Sequence, residues 1–287
     1  MIRFAEQYYS QVFLFVTAFL LVESLRSADS GFVIPVLVLG VVLLGFPHGA
    51  LDPLVAVRAL GSWRYFSVPA FAAAYLAIGA LYGSLWWMWP EPCLAIFLAI
   101  SAFHFGGDWQ ARGAWWTRFA YGSAIVTLPA LLHSPEVSRI YFALGVKETG
   151  TILSISQWIA VVAAVLGLLA AAMQWRERSA DFFEFVAITL GAALLEPLLF
   201  FTSYFCLLHS PRHLLDTCRS TGLRTARALT SAVLPALATT LAIGAIVWFA
   251  MLPGKGDENI LRLVFVGLAS LTLPHMMLQE IAKRRHL

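Results

Sequence analysis

FVIPVLVLGVVLLGF, residues 32–46, is an apolar run that stops abruptly in Pro47-His48-Gly49, with Asp52 four residues beyond the histidine. Runs of this kind recur along the 287 residues, which are 60% hydrophobic and only 12% charged. A water-soluble domain carries about 25% charged residues, so this composition cannot cover a water-facing surface. Several runs approach the roughly 20 apolar residues that span a bilayer. Lipid satisfies no backbone polar group, so such segments must be helices or a closed barrel. Barrel strands alternate polar and apolar residues, and these runs do not. The sequence therefore predicts an all-α, polytopic membrane bundle of about 8–10 transmembrane helices, forming a single domain over residues 1–287.

The expected spans are roughly 8–25, 31–46, 66–89, 92–107, 116–133, 151–174, 182–195, 197–217, 227–251 and 260–282. The N-terminal apolar stretch after Arg3 reads as a retained first helix, because no convincing small-x-small cleavage site follows it. Residues 182–217 are too long for one upright helix at about 1.5 Å per residue. Glu196-Pro197 interrupts them, and proline bends or breaks a helix. A hairpin or one broken helix could result. The positive-inside rule favours the hairpin. With the N-terminus cytoplasmic, Arg58/Arg64, Arg112/Arg118 and Arg176/Arg178 fall inside. Two crossings then keep Arg212, Arg219, Arg224, Arg227 and the Lys283-Arg284-Arg285 tail inside as well, with Arg26 an exception. Both termini are expected in the cytoplasm of a multi-pass protein of the inner (plasma) membrane.

Cys93, Cys206 and Cys218 are far apart, and without a CxxC pair they suggest neither a zinc ribbon nor a disulfide framework. No basic-aromatic patch for nucleic acid is present. The seven histidines are more informative. The charged connectors alone place His48, His104, His209, His213 and His275 near the cytoplasmic ends of their helices. His133 falls near the opposite face and His286 in the tail. His48-Gly-Ala-Leu-Asp52 and His104-Phe-Gly-Gly-Asp108 are H-x3-D, and His209-Ser-Pro-Arg-His213 is H-x3-H. Residues four apart share a helix face. Two imidazoles so placed can converge on one ion, and an aspartate can ligate or fix a histidine by accepting its second N–H. A lone membrane histidine also serves as a hydrogen-bonded packing residue. Ionisable groups inside spans are costly and tend to be functional, so the set carries more weight than any member. Imidazole suits zinc, copper, iron and nickel, and spacing alone does not choose among them.

At these residues the sequence resembles the Brp/Blh family of membrane β-carotene central-cleavage dioxygenases. GFPHGALDP (45–53), SAFHFGGDW (101–109), FFTSYFCLLHSPRHLL (200–215) and LTLPHMML (271–278) appear in the family's order across most of the chain. The resemblance implies a nonheme Fe(2+) centre held by His48, His104, His209 and His213. It implies oxygen-dependent cleavage of all-trans-β-carotene into two retinal molecules, which serve microbial rhodopsins. Asp52, Asp108, Glu196 and His275 are expected behind or beside the ligands. Arg212 is expected to neutralise Asp52 or Asp108, or to face headgroups. Phe103, Phe105 and Tyr204 flank the ligands as wall candidates for a rigid polyene. Tryptophans such as Trp87, Trp89 and Trp115 suit membrane interfaces equally well.

Two other classes compete. A diiron lipid desaturase or hydroxylase also uses membrane histidines and dioxygen, but typically shows HxxHH clusters, which are absent here. A non-enzymatic carotenoid-, retinal- or haem-binding membrane protein is the other. A retinal Schiff base needs an intramembrane lysine, whereas Lys147, Lys255 and Lys283 lie in connectors or the tail.

Overall fold

The computed structural model describes residues 16–18, 20, 30–61, 67–109, 115–173, 176, 179–223, 226–251 and 256–285. The expected span 8–25 therefore lies largely outside the described residues. Among the described residues the secondary structure is helical throughout, with no strand. Twelve α-helices follow in order: α1 Val33–Gly40, α2 Asp52–Leu60, α3 Val68–Met88, α4 Pro90–Phe105, α5 Trp115–Leu132, α6 Ser134–Ala143, α7 Thr149–Met173, α8 Ser179–Leu194, α9 Pro197–Thr202, α10 Ser210–Thr221, α11 Ala226–Met251 and α12 Asp257–Arg284. Within the described residues, four apolar stretches are long enough to cross a membrane: Val68–Met88, Thr149–Met173, Leu229–Phe249 and Asp257–Arg284. Their outward faces are greasy. On α7 alone, Ile155, Trp158, Val162, Val165 and Leu169 are exposed, as lipid contact requires.

The expected spans from 31–46 onward coincide with helical segments, and two short helices, α2 and α6, fall in stretches read as connectors. Each begins with proline in its first turn, where the missing N–H costs nothing. The apolar run of the opening quotation does not stay α-helical. It passes through a π-helical stretch, Val41–Gly45, into a 3₁₀ turn, Phe46–His48.

Helix α5 is extensively buried: Ala120, Gly122, Ser123, Ala124 and Thr127 all are. Small residues let helix backbones approach closely in membranes, and α5 packs on α4, α7 and α8. The break at Leu195–Glu196 produces a hairpin rather than one bent helix. Arg212 of α10 meets Glu184 of α8 at 2.7 Å, so the two arms lie antiparallel with Glu196 at their turn. His133 Nε2 donates to the Ala192 carbonyl oxygen near this turn at 3.0 Å.

Between α9 and α10 the second arm is π-helical over Ser203–His209. The two π stretches are stitched together. Ser210 Oγ donates to the Leu44 carbonyl. A Cβ on Gly40 would lie 2.7 Å from Thr202 Cγ2, and one on Gly45 would lie 2.7 Å from Phe205. These glycines are what let the first run close onto the second arm.

Candidate metal centre

Four imidazoles from three helical segments pack against one another. His104, at the end of α4, has its ring centroid 4.7 Å from His209, 5.9 Å from His213 and 5.3 Å from His275. His213 lies 6.1 Å from His209 and 5.0 Å from His275. These separations put the rings near enough for imidazole nitrogens to approach a common ion. The 3₁₀ turn that carries His48 packs on α10, the helix of His213. The His48 side chain lies outside the described residues. Among the described residues, no three His, Cys, Asp or Glu side chains are drawn together as a closed ligand set.

The donor chemistry nevertheless fits a divalent transition metal. His209 Nδ1 is 2.9 Å from Asp108 Oδ2. His275 Nδ1 is 2.9 Å and 3.0 Å from the two oxygens of Asp52. An ionised carboxylate only accepts hydrogen bonds, so each Nδ1 carries the proton and each Nε2 keeps its lone pair. The Nε2 atoms of His104, His209 and His275 are buried. Carboxylates behind the ring orient metal-bound histidines and raise their basicity. His213 Nδ1 is 3.3 Å from Thr217 Oγ1, one turn along α10.

Each carboxylate engages a histidine outside its own motif. Asp52 engages His275, and Asp108 engages His209, each across helices. The reason is local. The helix tightens to 3₁₀ at Gly106–Asp108, and Asp52 starts a new helix after the turn of His48. The i, i+4 geometry assumed for both motifs is therefore lost. Each carboxylate also accepts a tyrosine hydroxyl: Tyr204 on Asp108 at 2.6 Å and Tyr75 on Asp52 at 2.8 Å. Tyr204 and His209 are five residues apart on the π-helical stretch. Its i→i+5 winding brings both onto one face, where they share Asp108 Oδ2.

Some expected residues fall elsewhere. Phe103 is 69% exposed and points away from the cluster. Residues two apart on a helix lie on opposite faces, so burying Phe105 turns Phe103 outward. Glu196 sits at the hairpin turn, 13 residues before His209, or roughly 20 Å along a helix, and is not part of the cluster. Arg212 is buried rather than turned to headgroups, and its charge acts favourably on Asp108, one of the two aspartates expected for it. It pairs with Glu184 and donates to the Asp108 backbone carbonyl at 2.9 Å, and Tyr121 donates to Glu184 at 2.7 Å. Glu184 looked like an ordinary acid at a span's start, and its 28-residue offset from Arg212 carries no local signal. Losing one partner of a buried pair strands the other charge, at a cost of about 3–5 kcal/mol. Glu184→Ala is accordingly expected to lower the thermal midpoint of the detergent-solubilised protein by many degrees; an unchanged melting curve would show that the pair contributes little.

Two cavities meet at the histidines. An apolar one of about 610 Å³ is lined by Phe71, Phe97, Ile125, Phe201, Phe265 and others, with Phe105, Tyr204, His104, His275 and Asp52 at its polar end. A polar one of about 290 Å³ is lined by His104, His209 and His213 together with Arg58, Arg118, Arg212 and Lys283. His104 borders both. Four of the basic residues that the charge rule placed on one side thus line one cavity beside the histidines. Aromatic rings pack at the junction: Phe105 lies 4.8 Å from His209 and 5.1 Å from Tyr204, edge to face.

No solved structure matches this chain. A curated β-carotene 15,15'-dioxygenase from uncultured marine bacterium 66A03 is 28% identical over 254 residues, covering 86% of this chain and 92% of that protein. A probable β-carotene 15,15'-dioxygenase Blh from Halobacterium salinarum is 26% identical over 284 residues, covering 84% and 81%. The β-carotene 15,15'-dioxygenase family model matches residues 39–283, a range that takes in every histidine of the cluster and both carboxylates behind it, and the chain belongs to that family.

Proposed function

We propose that this membrane protein cleaves all-trans-β-carotene at its central double bond with dioxygen, giving two molecules of retinal, at a nonheme Fe(2+) centre held by His48, His104, His209 and His213. The observation that carries the reading is the meeting of a large apolar cavity with the histidine cluster through His104. The family and the names of its relatives support the substrate and the reaction. Bound iron would supply the activation of dioxygen, both of whose atoms end in the two aldehydes.

The chain's own residues do the remaining work. Aromatic and aliphatic walls receive a rigid, lipid-dissolved polyene and exclude water from it. Phe105 and Tyr204 form the end of that cavity nearest the histidines, so they fix how far the polyene advances. Regiospecificity is then a matter of position, because the double bond that reacts is the one held at the centre. Asp108 and Asp52 hold imidazoles in orientation. No side chain is required as a general base. We place the protein in the inner (plasma) membrane with both termini cytoplasmic, which sets the polar cavity and its arginines on the cytoplasmic side. The retinal produced would suit a microbial rhodopsin.

Expression in β-carotene-producing bacteria tests the reading. Loss of orange colour with retinal in the extract is expected, with about one iron per chain in the purified protein. A C-terminal fluorescent fusion in the same cells reads the orientation. Retained orange colour with carotenoid copurifying would make the protein a pigment binder. Two irons per chain would favour a diiron oxygenase, and tightly held zinc indifferent to added ferrous ion would argue for a structural centre.

A further inference from the structure

Two tyrosine–aspartate–histidine triads face the same cluster. In one, Tyr204 and His209 share Asp108. In the other, Tyr75 and His275 share Asp52, at 2.8 Å and 2.9 Å. Each aspartate stands four residues after a histidine, His104 or His48, and reaches across to a histidine of another helix. His275 therefore stands to His48 as His209 stands to His104. The second triad's aspartate–histidine pair is as deeply set as that of the first. His275 and Asp52 are each 3% exposed, and the Tyr75 hydroxyl also lies 3.2 Å from the Leu271 carbonyl oxygen, which can share the hydroxyl's one proton with Asp52.

An imidazole that only walled a carotenoid cavity would have no need of a buried carboxylate on its far nitrogen. Burying a carboxylate is costly unless it is fully engaged. The arrangement instead matches a ring held in one tautomer so that Nε2 is presented to an ion. That Nε2 atom is buried, and the ring lies 5.3 Å from His104 and 5.0 Å from His213, centroid to centroid.

We propose that His275 is itself a ligand of the metal centre, contributed by the C-terminal helix α12 and fixed by Asp52 and Tyr75. This rests on the reading of a metal-binding histidine cluster given above. With His48, His104, His209 and His213 it makes a five-imidazole set. Iron accepts up to about six ligands, so such a set would leave room for dioxygen. Asp52 and Tyr75 are positioning residues, acting on the ion only through the ring.

The test compares metal binding in the wild-type protein, His275→Ala and Asp52→Asn, each purified in detergent. Fe(2+) affinity is read by titration, and the ligand field by the visible spectrum of the Co(2+)-substituted protein. Asp52→Asn keeps the ring and is expected to weaken Fe(2+) binding about 10- to 100-fold, the usual effect of losing a carboxylate behind a metal-bound histidine. His275→Ala is expected to weaken it more, to shift the cobalt spectrum, and to recover affinity when free imidazole is added. Wild-type affinity and an unchanged cobalt spectrum in both variants, with only KM for β-carotene raised, would make His275 a cavity wall and overturn the assignment. A wild-type protein that binds neither ion overturns the assignment together with the centre it depends on.

Discussion

Replacing either His209 or His213 with alanine is expected to abolish retinal formation while the protein still inserts into the membrane. The loss should exceed about a hundredfold, since even the carboxylates behind metal-bound histidines act on the 10- to 100-fold scale. His209 is the more deeply embedded of the two. It is 1% exposed, stacked at 5.7 Å on Phe205, and held at Nδ1 by Asp108. Its removal takes away a donor and leaves Asp108 with the Tyr204 hydroxyl and the neighbouring Arg212 as company. His213 sits on α10 with a partly buried ring, so its removal perturbs packing less and is the cleaner test. Membrane yield and a melting curve separate lost chemistry from lost fold. Retained turnover in either variant, with normal yield, would strike that residue from the centre.

Gly122→Val is expected to be the most damaging change away from the histidines. A Cβ at Gly122 would lie 1.9 Å from the Ala102 carbonyl oxygen and 2.5 Å from the Gly106 backbone nitrogen. Both are main-chain atoms of α4 and its end, so neither can rotate aside. The contact is reciprocal, for a Cβ at Gly106 would lie 2.5 Å from the Arg118 carbonyl oxygen, one turn before Gly122 on α5. Helices α4 and α5 therefore touch backbone to backbone beside His104. A valine forces them apart and carries His104 with α4. Overpacking costs about 1–3 kcal/mol where side chains can yield and more where they cannot, so a loss above about 3 kcal/mol is expected, seen as poor membrane yield and a strongly lowered melting temperature. Gly150→Ala is the control: a Cβ there meets nothing within 4 Å and should change little. Normal stability in Gly122→Val would mean that the α4–α5 crossing is looser than described.

Particular residues show where sequence reasoning stops. The hairpin at Glu196-Pro197 was legible because proline acts on its own neighbours and the arginine count on either side chose between two outcomes. The His209/His213 pair was legible because four residues is one turn. Phe103 was legible in principle, since helical phase alone separates it from Phe105, and proximity to His104 misled. The partners of Asp52 and Asp108 were not legible. Asp52 and His275 are 223 residues apart, and nothing within either stretch names the other. Glu184 and the two π-helical stretches were equally silent, because both depend on what packs opposite.

The sequence by itself determined that this chain is a helical membrane bundle, since too few charges exist to face water and lipid admits no unsatisfied backbone. It also determined which residues could hold an ion, because imidazole chemistry belongs to the side chain. Only the tertiary structure decided which of them meet, which carboxylate stands behind which ring, and that His275 joins the group. Those facts depend on helix crossings set by glycine contacts far apart in the chain, and crossings are not a property of any local stretch.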